Sequence, residues 1–123
     1  MLRTRLKRTV IASCVKVQEL IGSAQREQMY KKALTFDLRK NGFKVDTNKR
    51  FSVGINDENL FYYNLDLIVN EEMIIKIAAH PGELPKEIVT EVLKQQQISD
   101  LPVAVVVNFA NTELDIRIFE NEK

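Results

Sequence analysis

The sequence predicts an α/β (α+β) protein in which one central mixed β-sheet is flanked by helices, in the order α-α-β-β-β-β-α-β-β. Three observations support that class. Leu60–Ala79 reads as a β-hairpin, with two apolar runs rich in β-branched and aromatic residues around the polar break Asn70-Glu71-Glu72. A strand, helix, strand pattern around residues 85–107 places a valine-rich strand parallel to a strand of that hairpin. Two amphipathic patterns fill the first forty or so residues and supply helices to cover the sheet.

At 123 residues, 45% hydrophobic and 28% charged, the chain has the composition of one soluble globular domain spanning 1–123, large enough for a single core. A formal net charge of +1 predicts no attraction of the whole molecule to nucleic acid. The sign is unevenly spread, since Arg3, Arg5, Lys7 and Arg8 precede any acid, so residues 1–10 form either a basic arm or a solvated helix start. The apolar run Val10–Val15 contains Ser13 and Cys14 and stops at Lys16, too short for a signal peptide, and no stretch approaches transmembrane length. Cys14 is the only cysteine, which excludes an intrachain disulfide and argues against a cysteine-based zinc site. A cytoplasmic protein with no membrane attachment is the expectation.

From Thr4 to Ile21, Leu6, Val10, Cys14, Val17 and Ile21 recur at helical spacing, and Gly22-Ser23 ends that helix. On such a stripe Cys14 is a small buried apolar residue rather than a reactive thiol. Ser23 is placed to cap a second helix running to about Lys40, with Met29, Tyr30, Ala33, Leu34, Phe36 and Leu38 as a broad apolar face and Asn41-Gly42 as the stop. Glu27 in its first turns suits the helix dipole. Phe43–Val45 and Phe51–Ile55 predict two short strands, separated by Asp46-Thr47-Asn48 and followed by the turn cluster Asn56–Asn59. Lys44, Lys49 and Arg50 fit a solvated edge.

In the hairpin, alternation puts Phe61, Tyr63, Leu65, Leu67 and Val69 on one face of the first strand and Tyr62, Asn64, Asp66 and Ile68 on the other. Met73, Ile75, Ile77 and Ala79 share one face of the second strand, and Ile74, Lys76 and Ala78 the other. Asp66 and Lys76 are charges inside apolar strands, which is costly unless they are paired. A three-residue turn at 70–72 pairs Val69 with Met73 and sets Asp66 opposite Lys76. After His80-Pro81-Gly82, where a lone histidine beside a turn is usually structural or exposed, Pro85 suits the first turn of a third helix. Ile88, Val89, Val92 and Leu93 give that helix a narrow apolar face, which runs out in Gln95-Gln96-Gln97. Val103–Val107 is a strand buried on both faces at a sheet centre, and Leu114, Ile116 and Ile118 alternate with Asp115 and Arg117 in a half-exposed last strand.

The chain is similar to the small GxxExxY proteins of the PD-(D/E)XK nuclease superfamily from about Ile11 to Arg117. The residues that carry the likeness are Val17–Gly22, Glu27–Leu34, Leu38–Val45, Leu65–Val69 and Val106–Phe109, with the naming motif present as Ala24-x-x-Glu27-x-x-Tyr30. The resemblance implies a restriction-endonuclease-like fold. It also implies a metal site in which an aspartate and a glutamate on adjacent strands hold Mg²⁺ and a lysine two residues past the glutamate orients the attacking water. Asp66 matches the aspartate. The glutamate and lysine positions fall on Lys76 and Ala78, and the helix glutamine corresponds to Glu91. Shifting the register by two puts Lys76 at the lysine position but Ile74 at the glutamate's, so either alignment loses the second carboxylate.

An ammonium where a hard oxygen ligand belongs repels Mg²⁺ and can neutralise Asp66. The function this implies is that of a catalytically degenerate nuclease-like domain, a pseudoenzyme without cofactor, that binds a protein or nucleic-acid partner along a residual groove lined by Glu27, Asp66, Lys76, Ala78 and Glu91. The alternative is an active Mg²⁺-dependent nuclease whose ligands have moved to Glu27, Asp66 and Glu91. A second alternative is a structural module that self-associates as a homodimer through a sheet edge or the first helix.

Overall fold

The structure, a computed structural model, describes residues 2–121; Met1, Glu122 and Lys123, at the ends of the expected 1–123 span, lie outside the described residues. Helix α1 (Leu2–Ile21) takes in the basic run from its first turns and buries Leu6, Val10, Cys14 and Val17, the predicted stripe. Helix α2 (Glu27–Lys40) folds back against it and closes in a Schellman motif: Gly42 N–H donates to Arg39 O and Phe43 N–H to Leu38 O. Gly42 has φ +88°, which a residue with a Cβ adopts only at a steric cost.

Five strands follow in the spatial order β1 to β5: β1 (Val45–Ile55), β2 (Glu58–Val69), β3 (Met73–Ala78), β4 (Val103–Asn108) and β5 (Asp115–Glu120), with helix α3 (Lys86–Ser99) between β3 and β4. Only β3 and β4 are parallel, so the sheet is mixed. Val103, Val105 and Val107 of β4 join a core cluster with α1 and α2, while Ala104 and Val106 join a second cluster with Leu84 and with Val92 of α3. The sheet is thus covered on both faces, α1 and α2 on one and α3 on the other, and the valine strand lies buried inside it as its composition requires. The predicted fold class is the observed one. Among the described residues no helix is long and apolar enough to cross a membrane.

The element order differs from the expectation by one strand. Phe43–Val45 and Phe51–Ile55 are not two strands; β1 runs unbroken through Asp46-Thr47-Asn48, giving α-α-β-β-β-α-β-β. Asp46 and Thr47 pair with Ile68 and Leu67, so the β2 ladder occupies backbone groups that a turn would have kept local. The cost is taken at Asn48, which sits at φ +56°, a conformation asparagine tolerates better than most. At the same level the side-chain alternation of β2 breaks. Leu65 packs in the second cluster, not with Leu67 and Val69 in the first, and the residue between them is Asp66.

The helices hold three smaller surprises. Ser23 does not cap α2, which starts at Glu27 after an extended Arg26. Met29 and Phe36, expected on its apolar face, are exposed, and the buried residues are Tyr30, Leu34, Thr35, Asp37 and Leu38. In α3, Leu93 is exposed while Gln95 and Gln96 are buried, because the helix continues past the apolar pattern and Gln96 Nε2 donates to Phe119 O on β5. Beyond the helix layers, β1 and β2 continue as a two-stranded ribbon that carries exposed Ile55, Leu60, Phe61 and Tyr62. Near its tip Gly54 allows a close approach, since a Cβ there would lie 2.1 Å from Glu58 O.

Candidate functional site

The sheet forks at Asp66 and Lys76. Strands β2 and β3 are paired only over Leu67↔Ile75, Ile68↔Ile74 and Val69↔Met73. Past that point β2 continues along β1 alone, and β3 continues along β4 through Lys76↔Val106, Ile77↔Val107 and Ala78↔Asn108. The register is the one a three-residue turn at 70–72 imposes, with Asn70 and Glu71 left-handed at φ +51° and +57°. Where the strands part, the Ile77 N–H has no β2 carbonyl to meet, and it donates to Asp66 Oδ2 at 3.0 Å. Asp66 therefore closes the open end of the β2–β3 ladder.

The Lys76 ammonium lies 3.5 Å from the same Asp66 oxygen. The Lys76 side chain is 28% exposed and that of Asp66 24%, so the pair is partly solvated and contributes about 1 kcal/mol or less. Ala78, next on the Lys76 face of β3, is buried against the second cluster, and its carbonyl accepts from Phe109 N–H at 3.0 Å. Of the five positions singled out in the sequence, the fork brings together Asp66, Lys76 and Ala78. Glu91 is exposed on α3, where its carboxylate accepts from Gln95 Nε2 at 3.2 Å. Glu27 is exposed at the start of α2, whose buried residues belong to the cluster on the opposite face of the sheet from Ala78.

This donor set does not fit Mg²⁺, which takes hard oxygen ligands and disfavours a neighbouring cation. The fork offers one carboxylate, already engaged by an N–H and an ammonium. Among the described residues no three His, Cys, Asp or Glu side chains stand close enough together to hold a metal ion.

Two further polar centres were not legible in the sequence. The first is Asp37, buried between α1 and α2, whose carboxylate accepts from Ser13 Oγ at 2.5 Å, Lys16 Nζ at 3.0 Å and Asn41 Nδ2 at 3.4 Å. The Ser13 hydrogen bond, with help from Lys16, holds this carboxyl below the usual aspartate range although burial opposes it. The second is Asn108, fully buried at the end of β4. Its amide accepts from His80 N–H at 3.0 Å and donates to His80 O at 2.9 Å, and Asn111 grips Gly82 in the same two-point way. The two asparagines pin the loop that leaves β3, and the His80 side chain is left exposed. Cys14 is buried and its thiol is pushed up to about 12 by desolvation, so it is inert. Tyr30, the tyrosine of the Ala24-x-x-Glu27-x-x-Tyr30 motif, is a packing residue. Its ring stacks on Phe109 with centroids 4.5 Å apart, its hydroxyl donates to Gly22 O at 2.6 Å, and that hydroxyl accepts from Gln25 N–H at 3.1 Å.

Comparison with curated proteins and with solved structures finds no significant match. Comparison with protein families matches residues 4–119 to the PD-(D/E)XK nuclease superfamily, which spans both helix layers and the whole fork. The mixed sheet flanked by helices is consistent with that superfamily's restriction-endonuclease-like architecture. The chain belongs to the PD-(D/E)XK nuclease superfamily.

Proposed function

We propose that this chain is a catalytically degenerate member of the superfamily, of the GxxExxY type, that works by binding a macromolecular partner rather than by hydrolysing phosphodiesters. The observation that carries this reading is the Lys76 ammonium 3.5 Å from Asp66 Oδ2, at the fork where a second metal-binding carboxylate would be needed. An ion pair supplies at no chemical cost what a bound cation would otherwise supply to Asp66, namely neutralisation, and it leaves no oxygen ligands to recruit Mg²⁺. Ala78 adds support, because it puts a methyl group where a lysine would be needed to orient water. The GxxExxY assignment is supported by the Tyr30 hydroxyl, which ties the corner between α1 and α2 that the motif spans.

Plasmid nicking tests the reading. Purified protein in Mg²⁺ or Mn²⁺ is expected to leave supercoiled DNA intact. Nicking that appears in the wild type and disappears in Asp66→Ala contradicts degeneracy and favours a relocated ligand set that includes Glu27 or Glu91.

A further inference from the structure

The residues that left the predicted apolar face of α2 do not lie at random. Phe36 is 71% exposed and Met29 46%, and with Leu20 of α1, 79% exposed, they border a groove of about 680 Å³ between the two helices. Phe36 also forms the ridge to a second groove of about 790 Å³ between α2 and β1, so the two are continuous along one side of α2. Large apolar side chains this exposed on a helix pair are the anchors that an incoming amphipathic helix covers.

The charge lining these grooves is predominantly positive. Lys16, Lys32 and Lys40 line the first groove, and Lys31 and Arg39 join Lys32 and Lys40 in the second. Among the described residues Asp37 is the only carboxylate in either lining, and it is consumed by Ser13, Lys16 and Asn41. Lys32 makes no salt bridge among the described residues. The chain as a whole is nearly neutral at +1, so this is a local concentration of positive charge around an apolar strip.

We infer that the α1–α2 face docks an acidic amphipathic helix of a partner protein, its apolar stripe seated on Leu20, Met29 and Phe36 and its carboxylates meeting Lys32, Lys40 and their neighbours. The inference gives the binding reading above a partner class and rests on it only for the premise that the chain acts by binding. The apolar strip favours a helix over a nucleic-acid strand, whose phosphates would use the lysines but leave Leu20 and Met29 uncovered.

Fluorescence anisotropy with two labelled helical peptides decides it. Both carry the same leucine stripe, one flanked by glutamates and the other by lysines. The acidic peptide is expected to bind the full chain, with affinity reduced about tenfold or more by Phe36→Ala and by Lys32→Glu. Both substituted side chains point to solvent, so the fold survives, and circular dichroism confirms it. Absence of binding by the acidic peptide, equal binding of the basic one, or indifference to both substitutions overturns the inference. So does a single-stranded oligonucleotide or an anionic vesicle that binds instead and is released by the same changes. Nicking activity in the wild type would sink the degenerate reading without altering these titrations, and Asp66→Ala is expected to leave peptide binding unchanged.

Discussion

Two aspartates, Asp37 and Asp66, sit in this protein with a lysine beside each, and they are built differently. Asp37 is enclosed between two helices and has hydroxyl, ammonium and amide donors, all supplied by side chains of α1 and the end of α2. Asp66 stands at a break in the sheet, has one backbone N–H, and meets its lysine at 3.5 Å with about a quarter of each side chain open to solvent. A carboxylate with a full complement of donors is a structural tie. A carboxylate that closes a ladder end and faces a partly exposed cation is tied less completely. Under the proposed reading, that looser site is the one where the superfamily's metal ligands would stand.

The contrast predicts unequal costs. Asp37→Ala strands the buried Ser13 hydroxyl and releases Lys16, while the Asn41 amide keeps its bond to the Asp37 backbone carbonyl, and it is expected to lower unfolding free energy by about 2 kcal/mol in urea titrations. A loss no larger than that of a surface substitution would show that the α1–α2 tie is not structural. Asp66→Ala frees one N–H at an already open ladder end and is expected to cost about 1 kcal/mol or less. A greater loss than for Asp37→Ala would invert the comparison. Acid sharpens it further. The Asp37 carboxyl is held below its unfolded value, so its contribution is complete above about pH 4 and is lost as pH falls through the folded value. The stability gap between wild type and Asp37→Asn should therefore be constant from neutral pH down to about pH 4 and narrow below it. At the small end, Lys44→Ala breaks only the exposed pair with Glu71 and should leave the urea midpoint where it is.

How much of this was legible follows from where each interaction is encoded. The Asp66–Lys76 pairing was readable because a hairpin turn fixes register locally, so two charges ten residues apart had to meet. The valine strand and its parallel neighbour were readable from composition and the right-handed crossover. β1 was not. Asp46, Thr47 and Asn48 have turn chemistry, and only the partner strand makes them a strand. Asp37 was invisible for a related reason, since its two strongest partners, Ser13 and Lys16, lie on another helix, twenty-four residues away in the case of Ser13. The exposed Phe36 was misread because helical spacing allows a broad apolar face, while the packing of α1 and α2 uses only the narrower stripe of Tyr30, Leu34 and Leu38.

The central claim, that a cation now occupies the ligand position beside Asp66, is tested most directly by calorimetric titration of Mn²⁺ into the wild type and into Lys76→Glu. The account predicts no saturable binding to the wild type and a new site in the variant, where two carboxylates would face each other across the fork. Saturable binding to the wild type that is lost in Asp66→Ala, or a folded Lys76→Glu that binds no metal, would contradict it.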